Sequence, residues 1–158
     1  IVGTDITYIK MMQGFVFLTA FMDWFSRFVL SWRISITLET GFCFEAAEEL
    51  INRYGAPVIL NEDQGSQNTD HMMIGLWERH GTKISMDSRG RALDNIFTER
   101  LWRSVKYEEV YLKEYATVLE AKENIGKYFD FYNYERKHQS LGYKIPAEIY
   151  FERRKNLV

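Results

Sequence analysis

Thr4-Asp5-Ile6-Thr7-Tyr8-Ile9 alternates polar and apolar side chains with the period of two that a strand imposes, and two more such stretches follow it. The pattern breaks at Gln13-Gly14, resumes from Phe15 to Met22, breaks near Asp23 to Ser26 and resumes from Phe28 to Ile36. That rhythm predicts three antiparallel strands joined by short turns. Beyond them the period lengthens. A helix is expected from about Glu39 to Arg53, ended near Gly55-Ala56-Pro57, then a buried strand from Val58 to Asn61. A second helix, Thr69 to His80, stops at Gly81, and Thr82 to Met86 reads as a fifth strand. Further helices carry Glu99, run from Thr117 to Tyr134 behind the capping box Thr117-x-x-Glu120, and begin briefly near Pro146. A meander followed by strands alternating with helices predicts an α/β domain whose later strands run parallel to the first.

Composition bounds the rest. With 158 residues, 46% of them apolar, the chain suits one buried core and is short for two. Its longest apolar stretch, Phe15 to Met22, is far short of the ~20 residues of a membrane helix. The start, Ile1-Val2-Gly3-Thr4, has no initiator methionine and no signal-peptide pattern, so it reads as a cut through a longer protein. The single cysteine, Cys43, excludes an internal disulfide and fits a reducing cytoplasm; among Phe42, Phe44, Ala46 and Ala47 it reads as a small core residue. A net charge of −2 weighs against bulk electrostatic attraction to nucleic acid, although the C-terminal end is locally basic through Arg136, Lys137, Lys144, Arg153, Arg154 and Lys155.

Three acids stand in contexts that suit one metal centre. Asp5 lies in the first strand. Asp63 follows the apolar run Val58-Ile59-Leu60, and Glu99 opens a helix after the 35 residues numbered 64–98. At about 100° per residue that helix groups Phe97, Leu101 and Val105 on one side and Glu99, Arg103 and Lys106 on the other. One face packs; the other is available for chemistry. Seen alone, the second face reads as an ordinary solvated surface. Gathered carboxylates are the oxygen ligands that hard divalent cations prefer, and such ions serve phosphoryl transfer on nucleic acid.

Ordered blocks along nearly the whole chain resemble the catalytic core of bacterial insertion-sequence transposases related to retroviral integrases. They are Thr4-Asp5-Ile6-Thr7-Tyr8-Ile9, Asp23-Trp24-Phe25-Ser26-Arg27, Asp63-Gln64-Gly65-Ser66-Gln67, Arg89-Gly90-Arg91-Ala92-Leu93-Asp94-Asn95, Glu99-Arg100-Leu101-Trp102-Arg103-Ser104-Val105-Lys106, and Tyr132-Asn133 with Arg136-Lys137-His138-Gln139. The resemblance implies a ribonuclease-H-like fold: a five-stranded mixed sheet flanked by helices, in one catalytic core domain over residues 1–158, with an N-terminal DNA-binding region missing. It implies DNA 3′-end cleavage and strand transfer, with Asp5, Asp63 and Glu99 holding two magnesium or manganese ions. Water first frees a 3′-hydroxyl at the element end, and that hydroxyl then attacks target DNA. Lys106 would contact a phosphate or base at that end, with Arg103, Arg89 and Arg91 as further DNA contacts. The implied partners are element-end and target DNA and further copies of the chain, in a bacterial cytoplasm.

Several residues read more plainly. Asp94 and Asn95 suit helix caps, and His71, His80 and His138 are too scattered for a metal cluster. The four tryptophans fall on apolar positions and read as core, Trp102 being the most ambiguous. The sequence also departs from the usual wording of the resembled family: Glu62 stands for a small hydroxyl residue, Asn68 for an aromatic, Ser88 for a glycine and Lys137 for a proline. Strand alternation is expected to turn Glu62 away from Asp63. The segment from Asp87 to Leu93 reads as a mobile loop beside the site. Two other readings remain: a nuclease of the same fold that only hydrolyses, and an inactive DNA-binding or oligomerisation module.

Overall fold

A computed structural model describes residues 1–62, 71–86 and 96–156. Strands β1 (Val2–Lys10), β2 (Phe15–Asp23) and β3 (Val29–Ser35) form the expected antiparallel meander, and β4 (Ile59–Glu62) and β5 (Lys83–Met86) extend it in the order β3-β2-β1-β4-β5. β1 pairs with β4, and β4 with β5, in parallel, as the alternation of strands and helices predicts. Helices α1 (Gly41–Tyr54), α2 (His71–Arg79), α3 (Ile96–Glu108), α4 (Val118–Tyr134) and α5 (Pro146–Asn156), with short 3-10 turns at Val110–Leu112 and Gln139–Leu141, complete the described elements.

Period two decides the layering. Along β2, Val16, Leu18, Ala20 and Met22 pack with Leu101, Trp102 and Val105 of α3 and Ile125 and Phe129 of α4. The intervening Phe17 and Phe21 join Cys43, Ala46 and Leu50 of α1 and Met73 and Trp77 of α2 on the opposite face. Both sheet faces are therefore covered, which is why the strands are so apolar. Cys43 is fully buried, as read from its neighbours, and burial raises its thiol to about 11.

Some boundaries differ from expectation. Val58 is 80% exposed and β4 begins one residue later, because the chain is still crossing the surface there. The helix expected from Glu39 starts at Gly41, where Thr40 occupies the cap without a side-chain bond. At α4 the Thr117 hydroxyl accepts from the Glu120 N–H as the capping box requires. The Glu120 carboxylate, however, reaches the N–H of Ala116 instead of returning to Thr117. The last helix is longer than expected, running 11 residues, because Tyr150 stacks on Phe28 at 4.8 Å and extends its anchorage.

Two of the sequence blocks prove to be structural joints. In Asp23-Trp24-Phe25-Ser26-Arg27, Asp23 Oδ2 accepts from the Ser26 N–H (3.0 Å) and hydroxyl (2.6 Å), closing the β2–β3 turn. Arg27 takes the left-handed φ of 68° that this turn needs. In Tyr132-Asn133, the buried Asn133 amide accepts from the Val29 N–H at 2.8 Å and donates to the Val29 carbonyl at 2.9 Å, so a side chain of α4 satisfies the end of β3.

Candidate active site

Asp5 faces α3. Gly3, Asp5, Thr7 and Ile9 share one side of β1, and Ile9 packs in the α3–α4 core. Asp5 is half-buried, and its Oδ2 accepts a hydrogen bond from Trp102 Nε1 at 3.2 Å. Its backbone carbonyl accepts from the Thr19 hydroxyl at 3.1 Å, tying this point of β1 to β2.

A glycine lets α3 come this close. A Cβ on Gly3 would collide with the Trp24 indole and lie 3.1 Å from Thr98 Oγ1. Thr98 of α3 thus sits over Gly3 while Trp102 reaches Asp5. Four helical residues rise about 6 Å and two strand residues about 6.6 Å, so the two elements stay in step. Glu99, which is exposed, lies beside the buried Thr98 and three residues before Trp102, so it stands on α3 between the levels of Gly3 and Asp5. Glu99, Trp102 and Lys106 fall within about 60° around the helix. Lys106 is half-buried in the last turn; Arg103 is exposed, with its guanidinium 5.6 Å from the Tyr107 ring centre.

The structure therefore unites Asp5 with the helix that carries Glu99, Arg103 and Lys106. Asp63, Arg89 and Arg91 lie outside the described residues, as do the expected caps Asp94 and Asn95 and the loop from Asp87 to Leu93. In the register of β1 with β4, Thr4 stands beside Glu62. Asp5 follows Thr4 in the sequence as Asp63 follows Glu62.

Glu62 does not join Asp5. It is 1% exposed, burial raises its carboxyl to about 7, and its charge acts on Cys43 of α1 on the opposite face of the sheet. The sequence missed Trp102 and Gly3. Trp102 stands three residues after Glu99, on the border of its face, so helical phase carried a signal; nothing local marks Gly3 as the point of closest approach.

Asp5 and, on the helix fastened to its strand, Glu99 offer carboxylate oxygen, the ligand a hard divalent cation prefers. Among the described residues no three acidic, histidine or cysteine side chains form a metal-sized group.

Solved structures place this architecture in a class. The catalytic core domain of BIV integrase superposes with a TM-score of 0.78 at 19% identity, covering 98% of this chain and 95% of that one. The HTLV-2 integrase catalytic core domain in complex with magnesium, in its dimeric form, gives 0.73 at 18%, covering 92% of each chain. The fold is the ribonuclease-H-like fold of retroviral integrase cores. Two family descriptions, both "Integrase core domain", match residues 1–92 and 80–146, and the chain belongs to the integrase core domain family.

Among curated proteins it is similar to the transposase for insertion sequence element IS904 of Lactococcus lactis subsp. lactis, 31% identical over 150 residues covering 92% of this chain and 58% of that protein. It is also similar to the transposase for insertion sequence element IS629 of Shigella sonnei, 28% identical over 145 residues covering 91% and 49%. The chain thus spans about half the length of the curated relatives it matches. Among the described residues no helix is long and apolar enough to cross a membrane.

Proposed function

We propose that this chain is the catalytic core of an insertion-sequence transposase, cutting DNA at the 3′ ends of its element and joining those ends to target DNA. The observation that carries the reading is the Trp102–Asp5 hydrogen bond, which holds the Glu99 helix over the strand bearing Asp5. Asp5, Glu99 and Asp63 are the carboxylates that would hold two magnesium or manganese ions. Bound there, the ions would supply charge stabilisation and activation of the attacking oxygen. Trp102 restrains one Asp5 oxygen and so orients its carboxylate, and the exposed Glu99 completes the donor set from solvent. Lys106, on the same stripe, would hold a phosphate or base of the element end, with Arg103, Arg89 and Arg91 gripping the backbone.

The net charge of −2 assigns sequence-specific recognition elsewhere. We place it in an N-terminal region of a longer protein, with the working enzyme a homo-oligomer in the bacterial cytoplasm. The test is a joining assay in the full-length protein with its own element ends and Mg²⁺ or Mn²⁺. Covalent joining of a labelled 3′-hydroxyl end to a second duplex is the expected result. Cleavage without joined product indicates a hydrolase of the same fold. Neither product, with normal folding and no metal binding, indicates an inactive module.

A further inference from the structure

Around α3 from Glu99 lies a second feature that the proposed chemistry does not use. A cleft of about 450 Å³ opens between α3, the β2–β3 turn and the segment after α4. Four arginines line it, Arg27, Arg100, Arg103 and Arg136, against one carboxylate, Glu108. That carboxylate is already engaged. Arg136 Nη2 and Nε donate to its two oxygens at 2.7 and 2.8 Å, and the Tyr128 hydroxyl donates to it at 2.8 Å. In a chain of net charge −2, three guanidinium groups share this cleft without a carboxylate of their own among its lining residues.

The basic groups are held in place. Arg27 sits in the left-handed turn conformation, donates to the carbonyls of Trp24 and Phe25, and stacks its guanidinium 3.7 Å from the Phe97 ring centre. Arg136 is fixed by Glu108. The His138 ring meets Tyr132 edge-on at 4.9 Å. Positive charge crowds here: burial, then Arg136 and Arg27, push His138 down to about 4. Burial lowers Arg27 as well, and Arg100 pushes the same way, against Tyr132 and Asp23. Preorganised cations that repel one another favour an anion between them, and planar guanidinium forks match phosphate oxygens.

On α3, Phe97, Arg100, Ser104 and Tyr107 form a stripe within about 80°, and Arg103 lies between that stripe and the one carrying Glu99. We propose that this cleft is a second phosphodiester site, in which Arg27 and Arg100, beside the Arg136–Glu108 pair, hold a backbone phosphate of the same DNA whose reacting end lies at Glu99. The assignment rests on the reading of the chain as a DNA strand-transfer core. It adds a residue of the β2–β3 turn to the DNA contacts on α3. Arg103 then marks the path of the strand from one site to the other.

The test is binding of a short fluorescein-labelled DNA duplex of random sequence to the 158-residue chain, measured by anisotropy across a salt series. Arg100→Gln is the first variant because Arg100 is exposed and its loss leaves the Arg136–Glu108 pair intact. Lys10→Gln, at the far end of β1, controls for loss of one generic positive charge. Arg100→Gln is expected to weaken binding about 5- to 10-fold and to reduce the slope of log K against log salt by about one, as removal of one phosphate contact requires. Lys10→Gln is expected to leave the slope unchanged.

A slope in Arg100→Gln equal to wild type overturns the cleft while leaving the strand-transfer reading untouched. Equal slope losses in both variants also overturn it, since bulk charge then explains the effect. Wild-type chain without duplex binding at low salt overturns the cleft as well. Mn²⁺ titration by calorimetry separates the two readings: Arg100→Gln should bind the ion like wild type, and failure of wild type to bind it counts against the metal site alone.

Discussion

The two sides of α3 solve opposite electrostatic problems. On the side of Asp5, a neutral donor, the Trp102 indole, fastens the helix that carries Glu99 to the strand that carries Asp5. On the side of Arg27 and Arg136 the crowding is cationic, and it is relieved by aromatic rings, backbone carbonyls and the carboxylate of Glu108. The cationic side holds like charges that a ligand of opposite sign would neutralise, and under the proposed reading the carboxylates on the other side call for a cation. A cation suits the first and an anion the second, so one helix separates the two by its own girth.

The largest expected effect lies on the acidic side. Glu99→Gln should lower joining by at least about 10²–10³-fold, the loss typical of removing one preorganised electrostatic partner of a transition state. Because Glu99 is exposed, thermal stability without metal should stay within about 0.5 kcal/mol of wild type. Joining and unfolding measured on the same preparation check both halves. Normal metal-dependent joining would remove Glu99 from the site.

Gly3→Ala tests how closely α3 must approach. The added methyl collides with the Trp24 indole, and a loss of about 1–3 kcal/mol is expected from overpacking. Denaturant unfolding measures it. A neutral substitution would mean that the Trp24 indole and the start of α3 can give way over Gly3 without penalty, and the close approach of α3 to β1 would not depend on this glycine.

Trp102→Phe keeps most of the ring and removes the donor to Asp5. Joining and Mn²⁺ affinity should fall about 10-fold, as for loss of an orienting partner behind a metal ligand. A purely structural tryptophan would lower stability while leaving the metal affinity of the folded protein unchanged, so calorimetry on the folded variant discriminates.

The smallest effect is on the cationic side. His138 is pushed from 6.5 down to about 4, so below its unfolded value the unfolded chain takes up a proton that the folded chain refuses. Its contribution to stability is present above pH 6.5 and is lost as pH falls toward 4. His138→Gln should flatten the fall in melting temperature across that window and leave the curve above it parallel to wild type. An unchanged slope would mean that burial, Arg136 and Arg27 together do not depress His138.

Much of this contrast was legible before any coordinates. The period-two runs announced the meander, and α1–α4 follow the longer period to within a few residues, because burying one face of an element imposes a repeat on its own sequence. Asp5 and Glu99 were legible as acids in a strand and on a helix. Cys43 was legible as core. The cationic cleft was not: Arg27, Arg100 and Arg136 belong to three separate elements, and nothing in the spacing of residues 27, 100 and 136 brings them to one place. Asn133 stood in a recognised block, yet its amide closes a strand 104 positions away, a role no local pattern encodes.

By itself the sequence determined the strands and helices, the alternating faces of the sheet and the acidic residue types on β1 and α3, since these depend on neighbours within a few positions. Only the tertiary structure decided that α3 lies in step with β1, that Glu62 faces away from Asp5, and that four arginines meet across α3 from the acids. Those outcomes depend on contacts between residues far apart in the chain. Such contacts are selected by the packing of whole elements, to which a single glycine or indole can contribute without leaving any periodic trace.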